Sequence, residues 1–186
     1  MNKFILSTII ASSLLACNQS ASKEEPVADK TGIDESKLAK PVRYVNWEMG
    51  DFNNVVTVTN LYKMWDNREG KGGVESYFAD TIRLRLPEET DEIVIPNNQI
   101  NARLLANRNM YGPTSNDLVS AVALHDKTSG EDWVMVTTFA KWTEKSGKRD
   151  SVLYHDDWRI TNGKIDFLWS FSKTPSAEFI KNNPTK

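Results

Sequence analysis

Four successive stretches in the C-terminal half of the chain are predicted strands, and this feature constrains the fold most. The strands are residues 117–125, 132–143, 151–160 and 164–172. The connections between them are short and rich in turn residues, and the last one, Asn162-Gly163, is the strongest short hairpin signal a sequence can carry. Because strands joined this closely must run antiparallel, we expect an antiparallel meander.

A helical spacing precedes the meander, in a stretch whose residue types also favour a strand. Four apolar residues recur at i, i+3, i+7 and i+10, directly after a run of capping residues at 50–54. They are Val55, Val58, Tyr62 and Trp65. The β-branched run 55–59 favours a strand instead, whereas the polar residues at 63–69 favour a helix. We expect the helix, ended by the glycine-rich residues 70–73.

Three shorter elements lie between this helix and the meander. Residues 74–79 predict a short helical turn, and residues 97–110 carry apolar side chains at helical spacing. Residues 81–87 alternate instead, which places Ile82 and Leu84 on one face of a strand. Helices first and an antiparallel meander last is the order of an α+β fold.

The N-terminus has the parts of a secretory signal peptide. Lys3 precedes an apolar run at 4–11, and small residues follow. This run is too short for a transmembrane helix, which needs about 20 apolar residues. Residues 14–17 read Leu-Leu-Ala-Cys and resemble the lipobox of bacterial lipoproteins, in which a peptidase cuts before the cysteine, whose thiol and new amino group are then acylated. We therefore predict a signal peptide at 1–16 and a lipid on Cys17.

The predicted lipid implies an attachment to a membrane of the bacterial cell envelope. One acyl chain alone binds a membrane only marginally, so the several chains that the resemblance implies would give stable anchoring. With Cys17 at its start, the stretch 17–36 is charged and nearly free of apolar residues, which is typical of a flexible tether. Residues 37–186 would form the globular domain. The alternatives are an unprocessed N-terminal helix and an ordinary thiol at Cys17.

Charge and residue types exclude several classes of function. The 23 basic and 25 acidic residues are interspersed and give a net charge of −2, so we expect no nucleic-acid partner. Cys17 has no second cysteine to pair with, and His125 and His155 lie far apart, so no zinc site is predicted. The glycine-rich residues 70–73 lack the flanking strand and the Lys-Ser/Thr of a phosphate loop. We expect neither a metal nor a cofactor.

Two short motifs resemble the nuclear transport factor 2-like domains, the group that includes the SnoaL-like polyketide cyclases. Residues 155–165, His-Asp-Asp-Trp-Arg-Ile-Thr-Asn-Gly-Lys-Ile, look like the penultimate hairpin of that group. Residues 78–81, Phe-Ala-Asp-Thr, look like its turn from a helix into the first long strand. The resemblance spans about residues 50–175. It implies a cone-shaped α+β fold, in which a curved antiparallel sheet wraps around N-terminal helices and leaves a cavity for a small apolar molecule.

The candidate catalytic residues are His155, Asp157 and Asp80. His155 and Asp157 stand at i and i+2 of a predicted strand and so share a face, where the carboxylate could orient the imidazole for proton transfer. The alternative, which we favour, is that this face is exposed to solvent while Tyr154 and Trp158 point into the core. Asp80 either marks the mouth of the cavity or, as we prefer, caps the turn into its strand.

Aromatic residues of the long strands are the candidates for the cavity wall. They are Trp133, Phe139, Phe167, Trp169 and Phe171. Such side chains are most simply core, but around a cavity they would give an apolar ligand its buried contact area. We therefore expect a non-catalytic protein that binds a small apolar ligand or a protein partner, with a His-Asp enzyme related to ketosteroid isomerases as the alternative. A homodimer through the open sheet face is compatible with the binding protein.

Overall fold

The computed structural model describes residues 35–40, 43–67 and 73–183. The predicted signal peptide, Cys17 and all of the tether except residues 35 and 36 lie outside the described residues, so these assignments stay predictions. The described helices are α1 (Phe52–Asn67), α2 (Asn97–Arg108) and α3 (Ala177–Asn182), with short 3-10 helices at Glu35–Lys37 and Val74–Tyr77. In the described part of the chain, no helix has the length and apolar character needed to cross a membrane.

Seven strands form one curved, open, mixed sheet. They are β1 (Trp47–Met49), β2 (Phe78–Arg85), β3 (Ile93–Pro96), β4 (Thr114–Asp126), β5 (Asp132–Thr143), β6 (Arg149–Thr161) and β7 (Lys164–Lys173). Their order across the sheet is β1-β4-β5-β6-β7-β2-β3. The α+β class and the four-stranded meander, β4 to β7, are therefore confirmed. Strands β1 and β3, which are three and four residues long, were not predicted from the sequence.

One pairing corrects the expected sheet. We expected an antiparallel sheet throughout, but β2 runs parallel to β7, with Phe78 opposite Ile165 and Leu84 opposite Leu168. The two strands are far apart in sequence, and parallel neighbours need a long crossover between them, which the whole intervening chain supplies. The register shifts between Phe78 and Arg83, so this part of β2 bulges away from regular pairing.

The hairpin between β6 and β7 turns where the sequence predicts. Asn162 and Gly163 both have positive φ, 51° and 71°. Two consecutive left-handed residues match the right-handed twist of the flanking strands, which is why an Asn-Gly pair is favoured in such turns. Asp156 of β6 then lies opposite Ser170 of β7, and Trp158 lies opposite Leu168.

Helix α1 forms despite its β-branched residues, because burial of one stripe outweighs local preference. Val55, Val58 and Leu61 are each at most 8% exposed and pack in the core. At the start of the helix, Asp51 accepts a hydrogen bond from the backbone N–H of Asn53 at 2.9 Å, which supplies an acceptor for an otherwise unpaired N-terminal donor. The hydroxyl of Thr59 donates to the carbonyl oxygen of Val55 inside the helix at 2.9 Å. The helical spacing is thus confirmed.

The core lies between one face of the sheet, called the inner face, and helices α1 and α2. Apolar side chains from the two helices, the Val74–Tyr77 segment and strands β2 to β7 fill it. The most deeply buried are Val58, Ile82, Ile100, Val134, Val136 and Ile165. At the end nearest α2 the packing is incomplete, and a cavity remains.

Candidate functional site

A cavity of about 270 Å³ lies between the inner face of the sheet and helices α1 and α2. Its walls are mainly apolar and come from elements that also build the core. They include Ile82 and Leu84 of β2, Ile100 and Leu104 of α2, and Leu168 of β7. The alternation in β2 that predicted one apolar face therefore supplies one wall of the cavity.

The floor of the cavity holds a small polar network. Asp156 is 6% exposed, and its carboxylate accepts one hydrogen bond from the hydroxyl of Tyr62 and another from the hydroxyl of Ser170. The indole N–H of Trp158 donates to the hydroxyl oxygen of Tyr62 at 3.3 Å. The Tyr62 and Trp158 rings meet edge to face, with centroids 6.1 Å apart. These groups satisfy one another, so the floor needs no ligand to complete its hydrogen bonds.

Burial governs the ionisation of this network. Desolvation raises the pKa of Asp156, and the hydrogen bonds from Ser170 and Tyr62 oppose that rise because they stabilise the carboxylate. Burial, together with the neighbouring charge of Asp156, raises the pKa of the Tyr62 phenol well above its usual value. Tyr62 therefore keeps its proton and holds it towards Asp156.

Exposed lining residues mark the opening of the cavity. Glu88, Arg103 and Asn107 are exposed and line it. Tyr111 and Trp142 pack edge to face beside the opening, with ring centroids 5.4 Å apart. Tyr154 also lines the cavity, and burial with the nearby negative charge of Glu88 raises its pKa to about 12. The opening is thus polar, whereas the walls behind it are apolar.

The sequence-predicted catalytic pair lies on the other side of the sheet, called the outer face. His155 Nε2 is 3.1 Å from Asp157 Oδ1, so the two residues meet as expected. Neither lines the cavity, and the His155 side chain is 49% exposed. Tyr154 and Trp158 point inwards instead, as in the interpretation that we favoured from the sequence. Asp80 is exposed in the irregular part of β2 and does not line the cavity either.

The predicted cavity-lining aromatics also lie on the outer face. Trp133, Phe139, Phe167, Trp169 and Phe171 are absent from the cavity wall, which corrects the expected lining. The register explains this placement, because Trp169 lies opposite Asp157 and Phe171 lies opposite His155. The prediction that Phe167, Trp169 and Phe171 share one face of β7 is confirmed. That face is the outer one, whereas the cavity lies on the inner face.

Three of the five outer aromatics are covered by other parts of the chain. Tyr44 packs on Trp133, with ring centroids 5.8 Å apart, and Phe179 of α3 packs on Phe139 at 5.1 Å. Phe167 lies beneath the guanidinium groups of Arg83, Arg85 and Arg159. Trp169 and Phe171 remain 41% and 45% exposed, and their rings lie 5.1 Å apart. The homodimer expected through the open sheet face stays a prediction.

Sequence reasoning missed the residues at the cavity floor. The sequence patterns predict Trp158 inside and Tyr62 in the helical stripe, but they do not indicate Asp156 or Ser170. The alternation of β6 carried the signal, because Asp156 stands between two inward residues, Tyr154 and Trp158. An acidic residue in that position must be buried and therefore needs hydrogen-bond partners. Within the described residues, no group of three or more His, Cys, Asp or Glu side chains could hold a metal ion.

Comparison with known proteins identifies the fold. No protein-family model matches the chain, and no curated protein matches it. Among solved structures, a putative SnoaL-like polyketide cyclase from Jannaschia sp. aligns with a TM-score of 0.52 at 13% identity, over 66% of this chain and 87% of its own. A nuclear transport factor 2-like protein from Burkholderia xenovorans aligns with a TM-score of 0.50 at 16% identity, over 68% and 94%.

A protein with another activity aligns equally well. An epoxide hydrolase from M. tuberculosis gives a TM-score of 0.52 at 10% identity, over 64% of this chain and 82% of its own. At such identities the likeness concerns the fold alone. The domain therefore has the nuclear transport factor 2-like fold, as the sequence motifs implied, and its chemistry has to be argued from its own cavity.

Proposed function

We propose that the domain binds a small, largely apolar molecule in its cavity without transforming it. The observation that carries this proposal is the combination of apolar walls with a polar floor whose groups bond to one another. An apolar molecule in this space gains roughly 25 cal/mol for each Å² of apolar surface that it buries. At about 270 Å³ the cavity lies just below the size of pockets for drug-sized ligands, so the molecule is small.

The geometry does not favour an enzyme based on His155 and Asp157. A general base must come within hydrogen-bond reach of the proton that it removes, about 2.6–3.2 Å. His155 and Asp157 lie on the outer face, across the sheet from the cavity. Asp156 is the carboxylate at the cavity floor, but Tyr62 and Ser170 engage both of its oxygens. The named activities of the structural neighbours differ among themselves, so the shared fold gives no reason to choose catalysis.

Calorimetric titration with 1-hexanol, 1-octanol and 1-decanol tests the binding proposal. We expect saturable binding with a negative heat-capacity change, because apolar surface leaves water. Ala140 lines the cavity, so Ala140→Leu should fill part of it and weaken 1-octanol binding at least about tenfold. Ala121 is exposed on β4 and does not line the cavity, so Ala121→Leu is the matched control.

Two results would overturn this proposal. One is the absence of saturable binding for all three alcohols by a folded wild-type domain. The other is turnover of a cavity ligand that disappears in Asp156→Asn while the variant still binds the ligand, because the cavity would then belong to an enzyme.

We also propose that the mature protein is held in the bacterial cell envelope by lipid on Cys17. The support is the sequence of the leader, with its apolar run followed by Leu-Leu-Ala-Cys. Cys17→Ser should leave an uncut precursor and remove acyl chains from the purified protein. Mass spectrometry of wild-type protein from membranes and from the soluble fraction checks this. A soluble wild-type protein with an unmodified Cys17 would contradict it.

A further inference from the structure

The cavity changes in chemistry from its floor to its opening. At the floor, Asp156 and Tyr62 are engaged in the internal network, and the walls are apolar. At the opening, polar side chains of the lining are exposed to water. A ligand that matches both ends therefore has an apolar part inside and a polar group outside, as an amphiphile does.

Arg103 is placed to meet that polar group. It lines the opening from the middle of α2 and is exposed. Within the parts of the chain that the structure describes, its guanidinium has no hydrogen bond or ion pair. A guanidinium presents its N–H groups as a planar fork that matches a carboxylate. An unengaged fork at the edge of an apolar cavity fits the head group of a carboxylate amphiphile.

The other charges of the lining leave this role to Arg103. Lys141 is bound by Asp117, and the Nε and Nη1 atoms of Arg108 donate to the carbonyl oxygens of Trp65 and Gly112 at 3.0 and 2.9 Å. Helix α2 thus contributes two guanidinium groups to the cavity lining.

The opposing charge at the opening comes from Glu88, which lies in the connection between β2 and β3. Asp156 is the second acidic residue of the lining, and it is occupied at the floor. At the opening, Glu88 is therefore the one acidic residue of the lining, and Arg103 of α2 is the basic one. A negative head group is favoured on the side of the opening that α2 forms, because it is attracted to Arg103 and repelled by Glu88.

We infer that the cavity selects amphiphiles with a negative head group, a monocarboxylate above all, with the tail inside and the carboxylate against Arg103. This inference rests on the proposed binding function and adds the class of ligand. The ligand's apolar part supplies the affinity, and Arg103 decides which head group is accepted.

Three probes with the same tail and different heads test the inference: octanoate, 1-octanol and octylammonium, titrated calorimetrically into the wild-type domain at pH 7 and low salt. We expect octanoate to bind about fivefold tighter than 1-octanol, as befits a partly exposed ion pair, and octylammonium to bind weakest. Arg103→Gln should weaken octanoate binding about fivefold more than 1-octanol binding, so that octanoate loses its advantage. Added salt at 0.5 M should reduce the advantage in the wild type, because it screens exposed charges.

Two control variants separate the head group from general charge. Glu88→Gln should strengthen octanoate binding by removing a repelling carboxylate. Arg149→Gln, at an exposed residue of β6 outside the cavity lining, should change nothing.

The outcomes distinguish this inference from the proposal beneath it. Equal binding of octanoate and 1-octanol, tightest binding of octylammonium, or an equal loss of both octanoate and 1-octanol in Arg103→Gln would each overturn the inference and leave the binding function standing. Failure of all three probes to bind would overturn both.

Discussion

The two faces of strand β6 place similar residues in opposite surroundings. On the inner face, Asp156 is enclosed and accepts two hydrogen bonds, and Trp158 beside it is 8% exposed. On the outer face, the 49% exposed His155 contacts the partly buried Asp157, next to Trp169 of β7, which is 41% exposed. Neither acidity nor aromaticity separates inside from outside in this molecule. What separates them is whether a neighbouring element covers the face.

The two faces also differ in the apolar surface that other parts of the chain leave uncovered. The inner face is closed by helices α1 and α2 but leaves a cavity. The outer face is covered only in part, by Tyr44, by Phe179 and by the guanidinium groups over Phe167. The inner surface is therefore suited to a small enclosed molecule. The outer surface leaves the rings of Trp169 and Phe171 partly exposed.

The largest effect on the free energy of unfolding is expected when a tryptophan is removed from the inner face. The same substitution on the outer face is the comparison. Trp158→Ala should cost about 3–5 kcal/mol in the free energy of unfolding, because a large core side chain and its hydrogen bond are lost. Trp169→Ala should cost about 1 kcal/mol, since that ring is already partly in water. Urea denaturation of both variants measures the difference. Equal costs would show that the outer face is buried in solution, and sedimentation velocity would then reveal whether a second copy covers it.

The next largest effect on stability is expected at the hairpin between β6 and β7, which sets the register of these two strands. Gly163 has a φ of 71°, which a β-branched side chain adopts only with strain, so Gly163→Val should destabilise the domain by about 1–3 kcal/mol. Asn162→Gly is the control, because glycine accepts the φ of 51° at that position. Thermal unfolding should show a lower Tm for Gly163→Val and little change for Asn162→Gly. An unchanged Tm in Gly163→Val would place the turn elsewhere.

A smaller effect is expected in the pH dependence of stability. Burial raises the pKa of Asp156, so the folded state holds this proton more tightly than the unfolded state does. The resulting stability is present below the unfolded value of about 3.9 and is lost as pH rises through the folded pKa. Urea midpoints from pH 3 to 8 should therefore fall with rising pH in the wild type relative to Asp156→Asn. A constant difference between the two proteins would exclude a raised pKa.

Asp126 provides the opposite sign as a control. Backbone N–H groups of Ser129 and Thr128 donate to its carboxylate at 2.6 and 3.0 Å and lower its pKa. Its contribution is present above the unfolded pKa and lost as pH falls through the folded pKa. Relative to Asp126→Asn, the wild type should therefore lose stability in acid. As pH rises, the contribution of Asp156 to the free energy of unfolding therefore decreases, and that of Asp126 increases.

The smallest effect is expected at His155. Because its side chain is 49% exposed and lies outside the cavity, His155→Ala should change the free energy of unfolding by less than about 0.5 kcal/mol. It should also leave the affinity for 1-octanol unchanged. A tenfold loss of binding in this variant would connect the outer face to the cavity and break the contrast between the two faces.

Local signals explain which parts of the structure were predictable. The meander follows from short turns such as Asn162-Gly163, and helix α1 follows from a stripe of apolar residues, since both patterns act between near neighbours. The pairing of β2 with β7 has no local signature, because it joins distant segments. The short strands β1 and β3 are likewise set by the neighbours they pair with.

The cavity was predictable as a consequence of the fold but not in its lining. Phe167, Trp169 and Phe171 alternate regularly, and alternation shows that they share a face without showing which face is covered. Trp158 could be placed inside because its neighbours on β6 are polar. The burial of Asp156 could not be predicted in the same way, because a buried carboxylate needs hydrogen-bond partners. Those partners, Tyr62 and Ser170, are distant in sequence and become known only from the structure.

The parallel pairing of β2 with β7 has a consequence for the order in which the molecule can assemble. A growing chain contains β2 and β3 long before it contains β7, and two strands alone are only marginally stable in water. Until β7 arrives, the wall formed by Ile82 and Leu84 has no neighbour to hold it against the meander. We therefore expect a product that stops before residue 164 to lack the β7 wall of the cavity. The candidate site can therefore form only once β7 has been synthesised.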